Sequence, residues 1–184
     1  MQEQKKLPPI LLFIFGGSGD LNYRKLTPAL FNLFLDVSMP DKFEIIGIAR
    51  TEYKDDAYKQ HLKEGIDNFS RRKDDAKWND FAGHINYIQM DIEDEKSYIK
   101  IEEIAKEKEK EFGEHPVIIF YMAVTPWLVP GIVKNIGALD ICKDVKCTRI
   151  VAEKPFGHDL ESAKEMNKLL STYFVEDQIF RIDH

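Results

Sequence analysis

The chain predicts an α/β fold: a doubly wound, mostly parallel Rossmann-like sheet with helices on both faces, filling residues 1–184 as one domain. Three observations predict it. Short apolar runs rich in β-branched and aromatic residues alternate with longer amphipathic stretches, the pattern of parallel strands joined by crossover helices. The runs are hydrophobic almost throughout, as strands buried on both faces must be. The first of them enters Gly16-Gly17-Ser18-Gly19-Asp20-Leu21, a glycine-rich strand-to-helix turn.

Six strands are expected, over residues 10–15, 44–48, 86–90, 117–122, 149–152 and 178–182. A helix over 54–69 places Tyr58, Leu62, Ile66 and Phe69 on one stripe, and one over 97–112 does the same with Tyr98, Ile101, Ile104, Ala105 and Phe112. The dense charge run inside the second helix reads as a solvated face laced with i,i+4 pairs. Asp159 is placed to cap a helix running to about Phe174, with Leu160, Ala163, Met166, Leu170 and Tyr173 facing inward. Pro28 belongs near the start or at a kink of the helix that follows the glycine turn.

Composition narrows the partners. A chain of 184 residues can bury a sizeable core. Its net charge of -6 argues against nucleic acid or an anionic membrane surface as the main partner, so basic contacts to an anionic ligand must be local. Cys142 and Cys147 make no disulfide framework, which points to a reducing cytosol. Neither has a histidine or cysteine pair beside it in sequence, and no metal site is expected. The first nine residues are polar and lack a signal-peptide core, and the apolar run over 10–15 is far too short to span a bilayer. The expectation is a compact cytoplasmic protein.

The glycine turn is the first candidate site. Gly16 follows the strand directly and Gly19 stands at the mouth of the next helix. The first permits a tight turn; the second lets backbone N–H groups and the helix dipole meet a pyrophosphate. The third position of the fingerprint, normally Gly or Ala, is Asn22, which suggests a slightly wider helix–strand gap. The second strand ends Ile48-Ala49-Arg50-Thr51, without the acidic residue that accepts from an NAD ribose. Arginine there suits the 2′-phosphate of NADP, which is the expected cofactor. Asp91-Ile92, after the third strand, lies where an adenine would rest, although Asp91 reads equally as a helix cap. After the fourth strand, the small residues of Ala123-Val124-Thr125-Pro126-Trp127 would let a nicotinamide approach, with Trp127 serving packing. Lys154, in Glu153-Lys154-Pro155-Phe156-Gly157 after the fifth strand, reads as a substrate contact at the carboxyl edge of the sheet.

Four segments then occur in order: the glycine turn 16–21, Ile48-Ala49-Arg50, Val151-Ala152-Glu153-Lys154-Pro155-Phe156-Gly157, and the closing run 177–184 that ends in Asp183-His184. Together they resemble the N-terminal domain of the glucose-6-phosphate dehydrogenase family, over essentially the whole chain. The resemblance implies that Gly16, Gly17, Ser18, Gly19, Asp20, Leu21 and Arg50 hold NADP. It also implies that Lys154 contacts both cofactor and glucose 6-phosphate, and that His184 binds the sugar phosphate. Asp183 would orient and charge-stabilise a catalytic histidine, the division of labour a general base requires.

The resemblance has departures. Thr125 stands where the family has proline, and the family's catalytic histidine and C-terminal α+β domain lie beyond His184. The 184-residue chain alone is therefore expected not to turn over, to expose apolar surface, and to represent part of a homo-oligomeric protein. His61, His84, His115 and His158 offer no substitute base and read as helix or surface residues. Two other readings share some features: a different sugar oxidoreductase with a Glu-Lys-Pro turn, and a stand-alone nucleotide-sensing module. The closing Asp183-His184 pair disfavours both.

Overall fold

The computed structural model describes residues 7–54, 56–154 and 159–182. Its strands are β1 (Ile10–Phe15), β2 (Phe43–Ala49), β3 (Ile85–Gln89), β4 (Val117–Met122), β5 (Thr148–Glu153) and β6 (Ile179–Ile182). They form one sheet in the order β3-β2-β1-β4-β5-β6, with every pairing parallel. That order reverses direction between β1 and β4, the switch point at which doubly wound sheets bind ligands.

The inner strands β1, β2, β4 and β5 are buried or partly buried throughout because helices cover both faces, whereas the edge strands β3 and β6 each expose two residues. Leu12 and Ile14 of β1 join a core with α1 (Thr27–Leu35), α2 (Ala57–Phe69) and α3 (Asp75–Ala82), built around Phe31, Leu62 and Phe81. Leu11, Phe13 and Phe15 point the other way, into a core with α4 (Ile99–Phe112), α5 (Val129–Gly137) and α6 (Leu160–Tyr173). The period-2 alternation of a strand thus feeds two cores at once. Helix starts follow local chemistry. Asp74 caps α3 by accepting from the Lys77 amide at 3.0 Å, and Asp159 caps α6 in a capping box with Ser162. Asp159→Ala should cost about 1 kcal/mol in chemical unfolding; an unchanged midpoint would argue against the cap.

Several expectations need correction. α2 begins at Ala57, not near residue 54, and Phe69 at its end is exposed. The helix expected from Ser97 opens instead with a 3₁₀ turn, Glu95–Tyr98. Leu160 does not face inward; it is 71% exposed because it occupies the first position of α6, beyond the reach of the core. Trp127 does not pack either and is 70% exposed. The charge run of α4 is not wholly solvated: Glu102 is buried, with Lys106 bonded to it at 2.6 Å, and Lys108 reaches Glu44 of β2 at 3.3 Å. His84 is half-buried, stacked on Phe43 at 4.1 Å between ring centroids. No helix among the described residues is long and apolar enough to cross a membrane.

Candidate functional site

β1 delivers the glycine turn to the carboxyl edge of the sheet at the switch point. The amides of Gly16 and Gly17 both donate to the Ile48 carbonyl, at 2.9 and 3.0 Å, which locks the turn onto β2. Gly16 has φ +84°, a conformation that L side chains rarely adopt, and a Cβ there would fall 2.2 Å from the Ala123 carbonyl oxygen. At Gly17 a Cβ would stand 2.6 Å from the Cα of Gly47. The Gly19 amide closes back on the Gly16 carbonyl at 2.8 Å. This leaves the amides of Ser18, Asp20 and Leu21 without a backbone acceptor among the described residues. Free N–H groups at a helix start, in a turn with no room for side chains, are what a pyrophosphate requires.

Asn22 does not leave the gap that its size suggested. It is fully buried at the start of a π-helical turn, Asn22–Leu26, that leads into α1. Its amide donates to the Gly17 carbonyl at 2.7 Å and lies 3.2 Å from the Tyr58 hydroxyl, and its carbonyl accepts from Thr27 at 2.9 Å. The Tyr58 hydroxyl donates to the same Gly17 carbonyl at 3.1 Å. Burial pushes the Tyr58 phenol well above its ordinary range, so it remains a donor. Asn22→Leu should destabilise the chain by about 2–3 kcal/mol in urea unfolding, since several buried partners lose hydrogen bonds together. A loss below about 1 kcal/mol would show that the brace is dispensable.

Beside the turn, the end of β2 presents Arg50 with its side chain exposed. The backbone around it is fixed from β3: Tyr87 donates to the carbonyls of Ala49 (3.1 Å) and Thr51 (2.6 Å), and Gln89 to that of Arg50 (3.3 Å). The Ser18 and Thr51 hydroxyls are 2.9 Å apart, joining the turns after β1 and β2. Asp20 is exposed and pairs with Arg24 at 3.5 Å. Asp91 lies just past β3, exposed, where its carboxylate accepts from the Glu93 amide at 3.1 Å. The helix cap that follows is Asp94, not Asp91. Ile92 packs against the core and its carbonyl accepts from Tyr98 at 2.7 Å.

On the other side of the switch point, a cleft of ≈ 250 Å³ opens between Leu21, Ala123, Thr125, Ala152, Lys154 and Met166, among others. Tyr121 donates to Glu153 across the β4–β5 pair, and burial together with that carboxylate raises the phenol well above its usual range. Lys154 is exposed at the cleft, and its amide donates to the Ile182 carbonyl at 3.4 Å. Pro155, Phe156 and Gly157, and the pair Asp183 and His184, lie outside the described residues. The fold therefore brings Gly16–Leu21, Arg50, Ala123 and Lys154 to one edge. Thr51, Glu153 and Tyr121 were not singled out as site residues. Thr51 was discoverable as the hydroxyl next to Arg50, whereas the Tyr121–Glu153 pair depends on strand order.

A glycine turn with free amides, set beside a cleft at the switch point of a parallel sheet, defines a dinucleotide-binding domain. Comparison makes this specific. The family model described as glucose-6-phosphate dehydrogenase, NAD binding domain, matches residues 13–184, and the chain belongs to that family. Glucose-6-phosphate 1-dehydrogenase of Leuconostoc mesenteroides is 36% identical over 174 residues, covering 95% of this chain and 35% of the relative. The enzyme of Bacillus subtilis is 32% identical over 177 residues, covering 96% of this chain and 35% of the relative. Among solved structures, glucose-6-phosphate 1-dehydrogenase of Mycobacterium avium superposes with a TM-score of 0.83 at 32% identity, over 96% of this chain and 37% of that one. A glucose-6-phosphate dehydrogenase in complex with glucose-6-phosphate gives 0.82 at 32% identity, over 95% and 36%. The chain spans little more than a third of the length of these proteins.

Proposed function

We propose that this domain binds NADP in preference to NAD and serves an NADP-dependent glucose-6-phosphate dehydrogenase of the cytosol. The observation that carries the reading is the exposed Arg50 side chain at the end of β2, beside the joined hydroxyls of Ser18 and Thr51. A guanidinium can take a phosphate through two parallel N–H donors, and Arg50 occupies the strand-end position at which an NAD site carries Asp or Glu. The free amides of the glycine turn fit the pyrophosphate, with Asp91 and Ile92 on the adenine side. Ala123 and the cleft fit the nicotinamide end.

When bound, NADP supplies the acceptor for the hydride leaving C1 of glucose 6-phosphate. The protein's own groups position and charge-balance that transfer. Lys154 holds the sugar and the cofactor at the cleft, and His184 holds the sugar phosphate. Asp183 keeps the tautomer of a catalytic histidine supplied by the remainder of the protein and supports its imidazolium as it takes the C1 hydroxyl proton. The functional protein is a homo-oligomer in this reading, with neither nucleic acid nor membrane as partner. Calorimetric titration of the chain with each cofactor tests the first step. NADP should bind at least about tenfold more tightly than NAD, the worth of one charge-assisted contact. Equal affinities would refute the assignment.

A further inference from the structure

The opposite edge of the sheet carries a second constellation. His115 lies in the loop between α4 and β4, while Asp144 and Cys147 lie in the loop that enters β5. β4 and β5 are neighbours, with Ile118 paired to Thr148, and the Ile118 amide donates to the Cys147 carbonyl at 2.7 Å. Register therefore brings the two loops together at the amino edge, away from the nucleotide turn. The ligating atoms of His115, Asp144 and Cys147 all lie within 4.8 Å of one another.

We propose that His115, Asp144 and Cys147 bind a divalent zinc ion. A tetrahedral zinc with N, O and S ligands at their usual bond lengths holds those atoms about 3.4–3.6 Å apart. His115 Nε2 and Asp144 Oδ2 stand at 3.8 Å and need close by only a few tenths of an ångström. The other imidazole nitrogen, Nδ1, faces Glu109 Oε1 of α4 at 2.9 Å. A carboxylate behind Nδ1 accepts its N–H and leaves Nε2 as the lone-pair donor, the outer-shell arrangement that supports histidine on zinc. Asp144 is similarly held: one carboxylate oxygen accepts from the Lys146 amide at 2.9 Å, and the other turns toward His115. The mixed imidazole, carboxylate and thiolate set suits zinc rather than magnesium or calcium, which take oxygen ligands. Three protein ligands leave the fourth position to water. The ion would tie the entry to β4 to the entry to β5.

A competing arrangement, a protonated His115 bridging Glu109 and Asp144 with the Cys147 thiol donating to Asp144, needs no metal. The test therefore turns on Cys147. The untagged, metal-free chain is titrated with Zn²⁺ by calorimetry and with Co²⁺ by absorption spectroscopy. One zinc per chain is expected, together with a thiolate-to-cobalt charge-transfer band. Cys147→Ser should abolish the band. Cys147→Ser and His115→Gln should each weaken zinc by more than about tenfold, and Glu109→Gln by about tenfold. Cys142→Ala, which removes a buried thiol of the core, should leave both signals unchanged. Absence of zinc binding, or binding that survives both Cys147→Ser and His115→Gln, would overturn the proposal.

Discussion

Replacing Gly16 with alanine should lower the stability of the chain by about 3 kcal/mol or more, since left-handed backbone strain and overpacking each cost about 1–3 kcal/mol. Both penalties apply at this residue. Its φ of +84° disfavours any Cβ, and that atom would lie 2.2 Å from the Ala123 carbonyl oxygen. Neither neighbour can easily yield, because Gly16 is bonded to Ile48 and Ala123 sits directly past β4. For a domain of this length the midpoint of thermal unfolding should fall by about 6–12 °C. Nucleotide affinity should fall with it, because any relief must shift the turn that presents the free amides. A variant with an unchanged midpoint and unchanged NADP affinity would mean that this turn is not the rigid element described.

Arg50→Ala should weaken NADP by about 10- to 100-fold while leaving NAD nearly unchanged, as expected for one charge-assisted hydrogen-bonding group worth about 1.5–3 kcal/mol. The asymmetry is the informative part. Arg50 is exposed and its carbonyl is held by Gln89, so removing the side chain should not disturb the fold. Screening supplies a second check: the NADP advantage of the unaltered chain should shrink as salt rises, and that of Arg50→Ala should change little. Equal losses for both cofactors would place Arg50 on a shared part of the ligand and remove the basis for NADP preference.

Much of the fold was legible because parallel strands buried on both faces cannot hide their hydrophobicity, and the four inner strands fall where such runs occur; the edge strands β3 and β6, each with two exposed residues, carry a weaker form of the signal. The helices were less complete. α3 spans Asp75–Ala82, too short to show a full stripe, and α5 carries Pro130 and Gly131 in an apolar run, so neither announced itself. Leu160 and Trp127 were misplaced for a shared reason. Hydrophobicity says what a side chain favours, but whether a neighbour covers it is decided by the layer above. At the site, the glycine turn and Arg50 were legible because local backbone chemistry defines them. Asn22 was not: its role depends on Tyr58, reached only when α2 packs on the turn. The His115–Cys147 proximity was invisible for the same reason, since it arises from strand order and register.

In the proposed binding mode one dinucleotide lies across the switch point, its pyrophosphate on the glycine turn and its 2′-phosphate on Arg50. A crystal structure of the chain with NADP tests this most directly. Pyrophosphate oxygens should lie within hydrogen-bond distance of the Ser18, Asp20 or Leu21 amides, and the 2′-phosphate should lie against the Arg50 guanidinium. A dinucleotide bound elsewhere, or one whose 2′-phosphate points away from Arg50 into solvent, would contradict it.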